Sequence, residues 1–201
     1  MSVVARALIV ALLLLAGCGD DEPQPSAAAK RTVAALQKGG LTLVLRHALT
    51  DANVNQQEKL GSCASQRNLT QAGRRQASEI GDAIRALHIP IGDVRASPMC
   101  RARDTARLAF GRVTVDRDLV SPGVIGTKAD DERRADALRA LAERPPANGK
   151  NTVLVTHTGN IRAAFGEETD EEGEMLIFGP GAHLVGRIEP EQWAGLLEGA
   201  G

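Results

Sequence analysis

The stretch Leu41-Thr42-Leu43-Val44-Leu45-Arg46-His47 is matched later in the chain by Thr152-Val153-Leu154-Val155-Thr156-His157. In both, a short continuous apolar run ends at a histidine, which is typical of a strand buried on both faces of a parallel sheet. Ligands of open α/β sheets bind at the carboxyl ends of the strands. One such histidine alone is more often a buried structural residue, but the pair, with an arginine beside the first, favours a phosphoryl-binding site.

Helical and extended patterns alternate over the rest of the chain, which predicts a three-layer α/β/α sandwich with a mostly parallel central sheet and an antiparallel end. The predicted strands are Leu41–Leu45, Val94–Ser97, Val113–Val115, Thr152–Thr156, Met175–Phe178 and Leu184–Ile188. The predicted helices follow Thr70, cover Arg101–Phe110 and Asp130–Glu143, begin near Asn160, and include a short last one with Trp193.

The N-terminus carries an export signal. Arg6 precedes a short apolar run that ends in Leu15-Ala16-Gly17-Cys18, and this resembles the signal of bacterial lipoproteins. We therefore expect a signal peptide over residues 1–17, a lipidated Cys18 with a flexible tether to residue 30, and one folded domain over residues 31–201. The lipid is then the only membrane contact. Gly19, rather than Asp, follows the cysteine, which favours the outer membrane over the inner membrane on the extracytoplasmic side of the cell envelope.

Composition limits the classes of partner. Loss of residues 1–17 removes one arginine and leaves 23 basic against 25 acidic residues, a balance that argues against nucleic-acid binding. One Trp, three Phe and no Tyr also leave little material for stacking bases.

Three segments carry residues suited to phosphoryl chemistry. Arginine offers a planar fork of donors that fits phosphate oxygens, and a neutral imidazole is a competent nucleophile towards phosphorus. Arg46 and His47 supply one of each, and His157 supplies a second imidazole. Arg101 is predicted in the first turn of a helix that begins at a strand's carboxyl end, where free backbone N–H groups favour an anion.

These segments resemble the motifs of the histidine phosphatase superfamily, which shares its fold with phosphoglycerate mutases. The matching segments are Arg46-His47-Ala48, Asn68-Leu69-Thr70-Gln71-Ala72-Gly73-Arg74-Arg75-Gln76-Ala77, and Ser97-Pro98-Met99-Cys100-Arg101-Ala102-Arg103-Asp104-Thr105-Ala106. The resemblance implies His47 as the nucleophile and Arg46, Arg101 and His157 as the phosphate pocket. It implies a small phosphorylated substrate, and neither a metal ion nor an organic cofactor.

The sequence departs from the family pattern at two places. Alanine at position 48 replaces the glycine of the Arg-His-Gly motif, which we interpret as a subgroup feature. Val120-Ser121 stands where mutase-like members have the glutamate that acts as general acid. Glu174, Asp118 and Asp51 are the candidates for that role, and we assign it to Glu174; its alternative is a solvated member of the acidic run.

Cys63 and Cys100 remain after lipidation, an even pair in an exported chain. The family fold implies that both of their segments border the active site, so we predict a disulfide; the alternative is two free thiols.

The sequence therefore predicts an exported, lipid-anchored phosphatase that acts through a phosphohistidine. A phosphoglycerate mutase and a non-catalytic lipoprotein that binds a phosphoryl ligand are the alternatives. The sequence names neither the substrate nor the oligomeric state.

Overall fold

The computed structural model describes residues 26–53, 59–144 and 146–198. The helices are α1 (Ala27–Lys38), α2 (Gln71–Ala86), α3 (Cys100–Phe110), α4 (Lys128–Glu143), α5 (Thr158–Phe165) and α6 (Gln192–Glu198). The strands are β1 (Thr42–Arg46), β2 (Ile91–Ala96), β3 (Thr114–Val115), β4 (Asn151–Thr156), β5 (Met175–Gly179) and β6 (His183–Ile188).

The strands form one sheet in the order β3-β2-β4-β1-β5-β6. Strands β3, β2, β4 and β1 run parallel, and β5 then pairs antiparallel with both β1 and β6. The register places Arg46 opposite Thr156 and Ala96 opposite Val155, so β1, β4 and β2 end at the same edge. The residues that follow these three strands are therefore neighbours.

The two larger clusters of buried apolar side chains lie one on each face of the sheet, and Ala48, Leu69 and Ala77 form a third, small cluster. Leu43 and Leu45 of β1 pack on one face with residues of α1, α2, α3 and α6, and Val44 packs on the other with residues of α4 and α5. Continuous apolar strands between two helical layers are what a buried parallel sheet requires. The predicted three-layer α/β/α class with an antiparallel end is confirmed.

Two elements differ from the sequence-based expectations. The tether was expected to reach residue 30, but α1 begins at Ala27, with the Ser26 hydroxyl accepting from the Ala29 N–H at 3.1 Å. The helix packs against the core because Ala29, Val33 and Leu36 are spaced for one buried face. Strand β2 also begins earlier than expected, at Ile91 rather than Val94.

The predicted signal peptide and Cys18 lie outside the described residues. Within the described ranges, no helix is both long enough and apolar enough to cross a membrane.

Candidate phosphoryl-transfer site

His47 follows β1 directly and is buried, with 2% of its surface exposed. Its backbone N–H donates to the Thr156 carbonyl at 3.1 Å, which ties the end of β1 to the end of β4. Its Nδ1 lies 3.0 Å from the Ala48 carbonyl oxygen. Because a carbonyl oxygen only accepts, Nδ1 carries the proton and the lone pair of the neutral ring is on Nε2.

The second predicted histidine lies beside the first. The rings of His157 and His47 are 5.2 Å apart between centroids and tilted by 60°. His157 Nε2 lies 2.9 Å from the hydroxyl of Ser97, the residue that follows β2. Its buried Nδ1 has no hydrogen-bond partner among the described residues. That nitrogen is therefore a buried polar atom that the described residues leave without a hydrogen bond.

Both imidazoles are held in the neutral form. Burial is the main cause that lowers the pKa of His47 well below 6.5, and the positive charge of Arg101 adds to it. Burial also lowers the pKa of His157 well below its usual value, with contributions from His47 and Arg101. A neutral His47 keeps its Nε2 lone pair at physiological pH, as a nucleophile needs.

Three arginines surround the pair, and sequence reasoning had assigned two of them. Arg46 donates through Nη1 to the Thr169 carbonyl at 2.9 Å, so the loop before β5 holds its guanidinium. Arg101 is buried in the first turn of α3, and its Nη1 lies 3.5 Å from the Arg67 carbonyl. Arg67, on the loop before α2, reaches the same site. Arg46, Arg67 and Arg101 all act to lower the pKa values of both histidines.

A carboxylate that the sequence analysis did not single out completes the site. Glu172 Oε1 lies 3.4 Å from Arg67 Nη2, 3.8 Å from Arg46 Nη2 and 3.8 Å from His47 Nδ1. Thr50 donates to it twice, through its N–H and its hydroxyl, at 2.7 Å each. No local pattern marks Glu172 within the acidic run, because its role depends on contacts with β1 and the loop after it.

Glu174, to which the general acid was assigned, makes different contacts. It is buried, its Oε1 accepts from Arg187 at 2.9 Å, and its Oε2 accepts from the Asp170 N–H at 3.0 Å. Both oxygens of Glu174 thus hold the loop before β5, while Glu172 is the carboxylate within 4 Å of the His47 ring. The assignment of the general acid to Glu174 stays a prediction. The side chain points this way because β6 supplies Arg187 as a partner.

The two other acid candidates also lie apart from the histidines. Asp118 accepts from Arg133 Nη1 at 2.8 Å in an exposed ion pair with α4. Asp51 is exposed and accepts from the N–H of Asn53 at 2.9 Å.

The segment Leu69–Ala77 packs against the loop that follows His47. Thr70 caps α2 and donates its N–H to the Leu49 carbonyl at 3.0 Å. A Cβ at Gly73 would lie 2.0 Å from that same carbonyl oxygen, so only glycine allows this approach. Gln76 accepts from the Leu49 N–H and donates to the Glu172 carbonyl, both at 3.0 Å. The segment thus joins the loop after His47 to the loop that carries Glu172.

The start of α3 is joined to the site in a similar way. The Thr105 hydroxyl donates to the Arg101 carbonyl at 2.8 Å and accepts from the Ala48 N–H at 3.0 Å. The predicted disulfide between Cys63 and Cys100 is present, with 5.7 Å between the Cα atoms. It places the loop that carries Arg67 over the first turn of α3. Within the described residues, no three His, Cys, Asp or Glu side chains are grouped so as to hold a metal ion.

This fold and this set of side chains define a class: an α/β protein with two neutral histidines and several arginines at the carboxyl edge of its sheet. The model of the histidine phosphatase superfamily (branch 1) matches residues 42–120, which include β1, α2 and α3. Over these elements the chain is similar to the histidine phosphatase superfamily, and its fold is shared with solved structures. No protein in the curated set is matched by the sequence.

Solved structures share the fold at low sequence identity. The protein of open reading frame Rv3214 from Mycobacterium tuberculosis is 22% identical, with 72% of this chain and 94% of that chain covered and a TM-score of 0.53. A phosphoserine phosphatase from Entamoeba histolytica, solved with 3-phosphoglyceric acid, is 16% identical, with coverage of 76% and 98% and a TM-score of 0.54. The protein histidine phosphatase SixA, solved with tungstate, is 12% identical, with coverage of 75% and 97% and a TM-score of 0.50.

Proposed function

We propose that the protein is a phosphomonoester hydrolase that acts through a phosphohistidine at His47. The observation that carries the proposal is the state of His47: a buried neutral imidazole whose Nδ1–H donates to the Ala48 carbonyl, which leaves Nε2 as the nucleophile. The second imidazole and the three arginines lie around it. The substrate is a small phosphorylated molecule, as in the complex of the Entamoeba phosphatase with 3-phosphoglyceric acid.

In the first step, the Nε2 lone pair forms a bond to phosphorus while the bond from phosphorus to the leaving oxygen breaks, and the leaving oxygen takes that electron pair and a proton from the general acid, predicted to be Glu174. In the second, water attacks phosphorus and gives a proton back to that carboxylate, the P–N bond breaks, and the electron pair returns to Nε2 as inorganic phosphate leaves. Arg46, Arg101 and His157 are the proposed donors to the equatorial oxygens, where they stabilise the charge of the transition state. Each of the three is held by its own protein contacts.

The test is a phosphatase assay of the purified protein and of His47→Ala. Removal of the covalent route should lower kcat/KM by at least about 10³-fold, while the variant keeps its fold. His183 is an exposed histidine at the start of β6, so His183→Ala is the matched control and should behave as wild type. Acid-labile, alkali-stable phosphate on wild type but not on His47→Ala would identify the intermediate. Near-normal turnover by His47→Ala would refute the mechanism.

One observation keeps a non-catalytic phosphoryl-binding lipoprotein as a second candidate: among the described contacts, Glu174, Asp118 and Asp51 are each engaged away from the histidines. Binding of inorganic phosphate without turnover of any phosphomonoester would favour this candidate. Isomerisation of 3-phosphoglycerate to 2-phosphoglycerate would instead reveal a mutase.

We also propose that the protein is exported and held by a lipid on Cys18, with the outer membrane favoured. Leu15-Ala16-Gly17-Cys18 supports this proposal. A palmitate analogue should label the wild type and not Cys18→Ser. Equal labelling of both would mean that the signal has been misread.

A further inference from the structure

We propose that Glu172 is a positioning residue for the phosphoryl transfer: its carboxylate holds the His47 ring and Arg46, and it offsets the positive charge that His47 gains when it is phosphorylated. The inference rests on the proposed function and adds a residue to its machinery. Glu172 lies outside the three motifs that resemble the family.

The carboxylate is fixed before any substrate arrives. Thr50 donates to both of its oxygens at 2.7 Å, and the Glu172 carbonyl accepts from Gln76 Nε2 at 3.0 Å. Thr50 lies in the loop after β1 and Gln76 lies on α2, so the main chain and the side chain of Glu172 are held by two different elements. The side chain is 12% exposed. A group fixed in this way can stabilise a charge without reorganising at the moment of reaction.

The position of the carboxylate matches the charge that the reaction creates. Glu172 Oε1 is 3.8 Å from Nδ1 of His47, the ring atom opposite the nucleophilic Nε2. When Nε2 bonds to phosphorus, Nδ1 keeps its proton and the ring becomes cationic. The Ala48 carbonyl accepts that N–H, and the Glu172 carboxylate is the formal negative charge beside it. The charged groups that lower the pKa of His47 are Arg101, Arg46 and Arg67, and each disfavours a cationic ring.

The same charge has the opposite effect on the substrate. Glu172 is paired with Arg67 at 3.4 Å and with Arg46 at 3.8 Å, so it draws on two of the cations that attract a phosphate dianion. An interaction that stabilises the reacted state and weakens ground-state binding raises kcat at the expense of affinity. Loss of the charge should therefore lower kcat and leave KM unchanged or lower it.

The experiment compares wild type, Glu172→Gln and Glu171→Gln. The amide keeps the size of Glu172 and an oxygen for Thr50 but removes the charge. Glu171 is the exposed neighbour on the same loop and faces Glu191 rather than the histidines, so its variant is the matched control. Steady-state and rapid-quench kinetics with p-nitrophenyl phosphate give kcat, KM and the rate of phosphohistidine formation. We expect Glu172→Gln to slow kcat and phosphohistidine formation about 10- to 100-fold with an unchanged or lower KM. We expect Glu171→Gln to match wild type.

A kcat for Glu172→Gln within about twofold of wild type would overturn this inference and leave the proposed function standing. A fall in kcat with a raised KM would also overturn it, since that result assigns Glu172 to substrate binding. A wild type that neither turns over substrate nor forms phosphohistidine would overturn the proposed function, and this inference with it. Should Glu172→Gln fail to fold, Thr50→Val removes the hydroxyl donor to Glu172; the same split of kcat from KM would support the inference, and wild-type kinetics would refute it.

Discussion

The cross-link between Cys63 and Cys100 is expected to stabilise the fold and to place Arg67. Replacement of both cysteines by alanine opens a covalent loop of 37 residues. In the chain-entropy model, closing a loop of this length lowers the entropy of the unfolded chain by about 13 cal/mol/K, or about 4 kcal/mol at 25 °C. For a folded unit of this size, each kcal/mol corresponds to about 2–4 °C in Tm, so we expect the double variant to melt about 8–15 °C lower.

The functional consequence follows from the path of the loop. The Gln66 side chain accepts from the Cys100 N–H at 2.8 Å. The carbonyl of the next residue, Arg67, accepts from Arg101, and its side chain donates to Glu172. Loss of the cross-link frees this loop but leaves β1 and His47 untouched. We therefore expect KM for a phosphomonoester to rise several-fold while kcat changes little.

Urea unfolding and steady-state kinetics of oxidised wild type, reduced wild type and the double variant measure both effects. Gln66→Ala keeps the disulfide and removes only the side-chain anchor, so it separates the two contributions to the loop. Reduced wild type should match the double variant in stability. A double variant within about 1 kcal/mol of oxidised wild type would refute the entropic argument, and an unchanged KM would refute the role of the loop in placing Arg67.

Three further outcomes are expected. First, His47 and His157 have folded-state pKa values well below the unfolded value near 6.5, so the unfolded chain binds more protons than the folded protein below that pH. The contribution of the two histidines to the free energy of unfolding should be fully present above pH 6.5, and below it the free energy of unfolding should fall by up to about 1.4 kcal/mol per pH unit and per histidine. Urea titrations that show rising stability on acidification would contradict this. Second, the added methyl of Gly73→Ala should overlap with the Leu49 carbonyl, displace that loop and lower kcat/KM by at least about tenfold. Steady-state kinetics and a thermal melt measure the effect, and wild-type activity would mean that α2 shifts at no cost. Third, Asp118 is paired with Arg133 at the surface, so Asp118→Asn should not change how kcat/KM depends on the leaving-group pKa in a series of aryl phosphates. A steeper dependence in the variant would indicate that Asp118 is the general acid.

The parts of the fold that depend on local pattern were predictable. The apolar runs of β1 and β4 are buried on both sides and end at His47 and His157, as their patterns indicate. Because ligands of open α/β sheets bind where the parallel strands end, the placement of these histidines and Arg101 at one edge was also predictable. The strand order was not predicted. Helix α1 was missed because its alanine-rich start resembles a tether, although its buried positions have helical spacing.

The different contacts of Glu172 and Glu174 could not be predicted, because no local pattern encodes them. Both carboxylates lie in one acidic loop, two positions apart, but their side chains contact different segments. Arg187 on β6 donates to the Glu174 carboxylate, while Thr50 in the loop after β1 donates to the Glu172 carboxylate. Each partner comes from a segment distant in sequence, so the assignment needed the three-dimensional structure.

Two motif residues that are not assigned to the phosphate site, Thr105 and Gln76, also matter to the chemistry. Thr105 joins the backbone at Arg101 to the backbone at Ala48, and Gln76 joins Leu49 to Glu172. Each side chain spans two segments that carry a residue of the site, and neither is placed to contact the phosphoryl group itself. Their effect is to hold the donors and the nucleophile in one fixed geometry, which is the requirement for charge stabilisation without reorganisation. Variants at Thr105 and Gln76 should therefore lower kcat in proportion to how far they loosen that geometry.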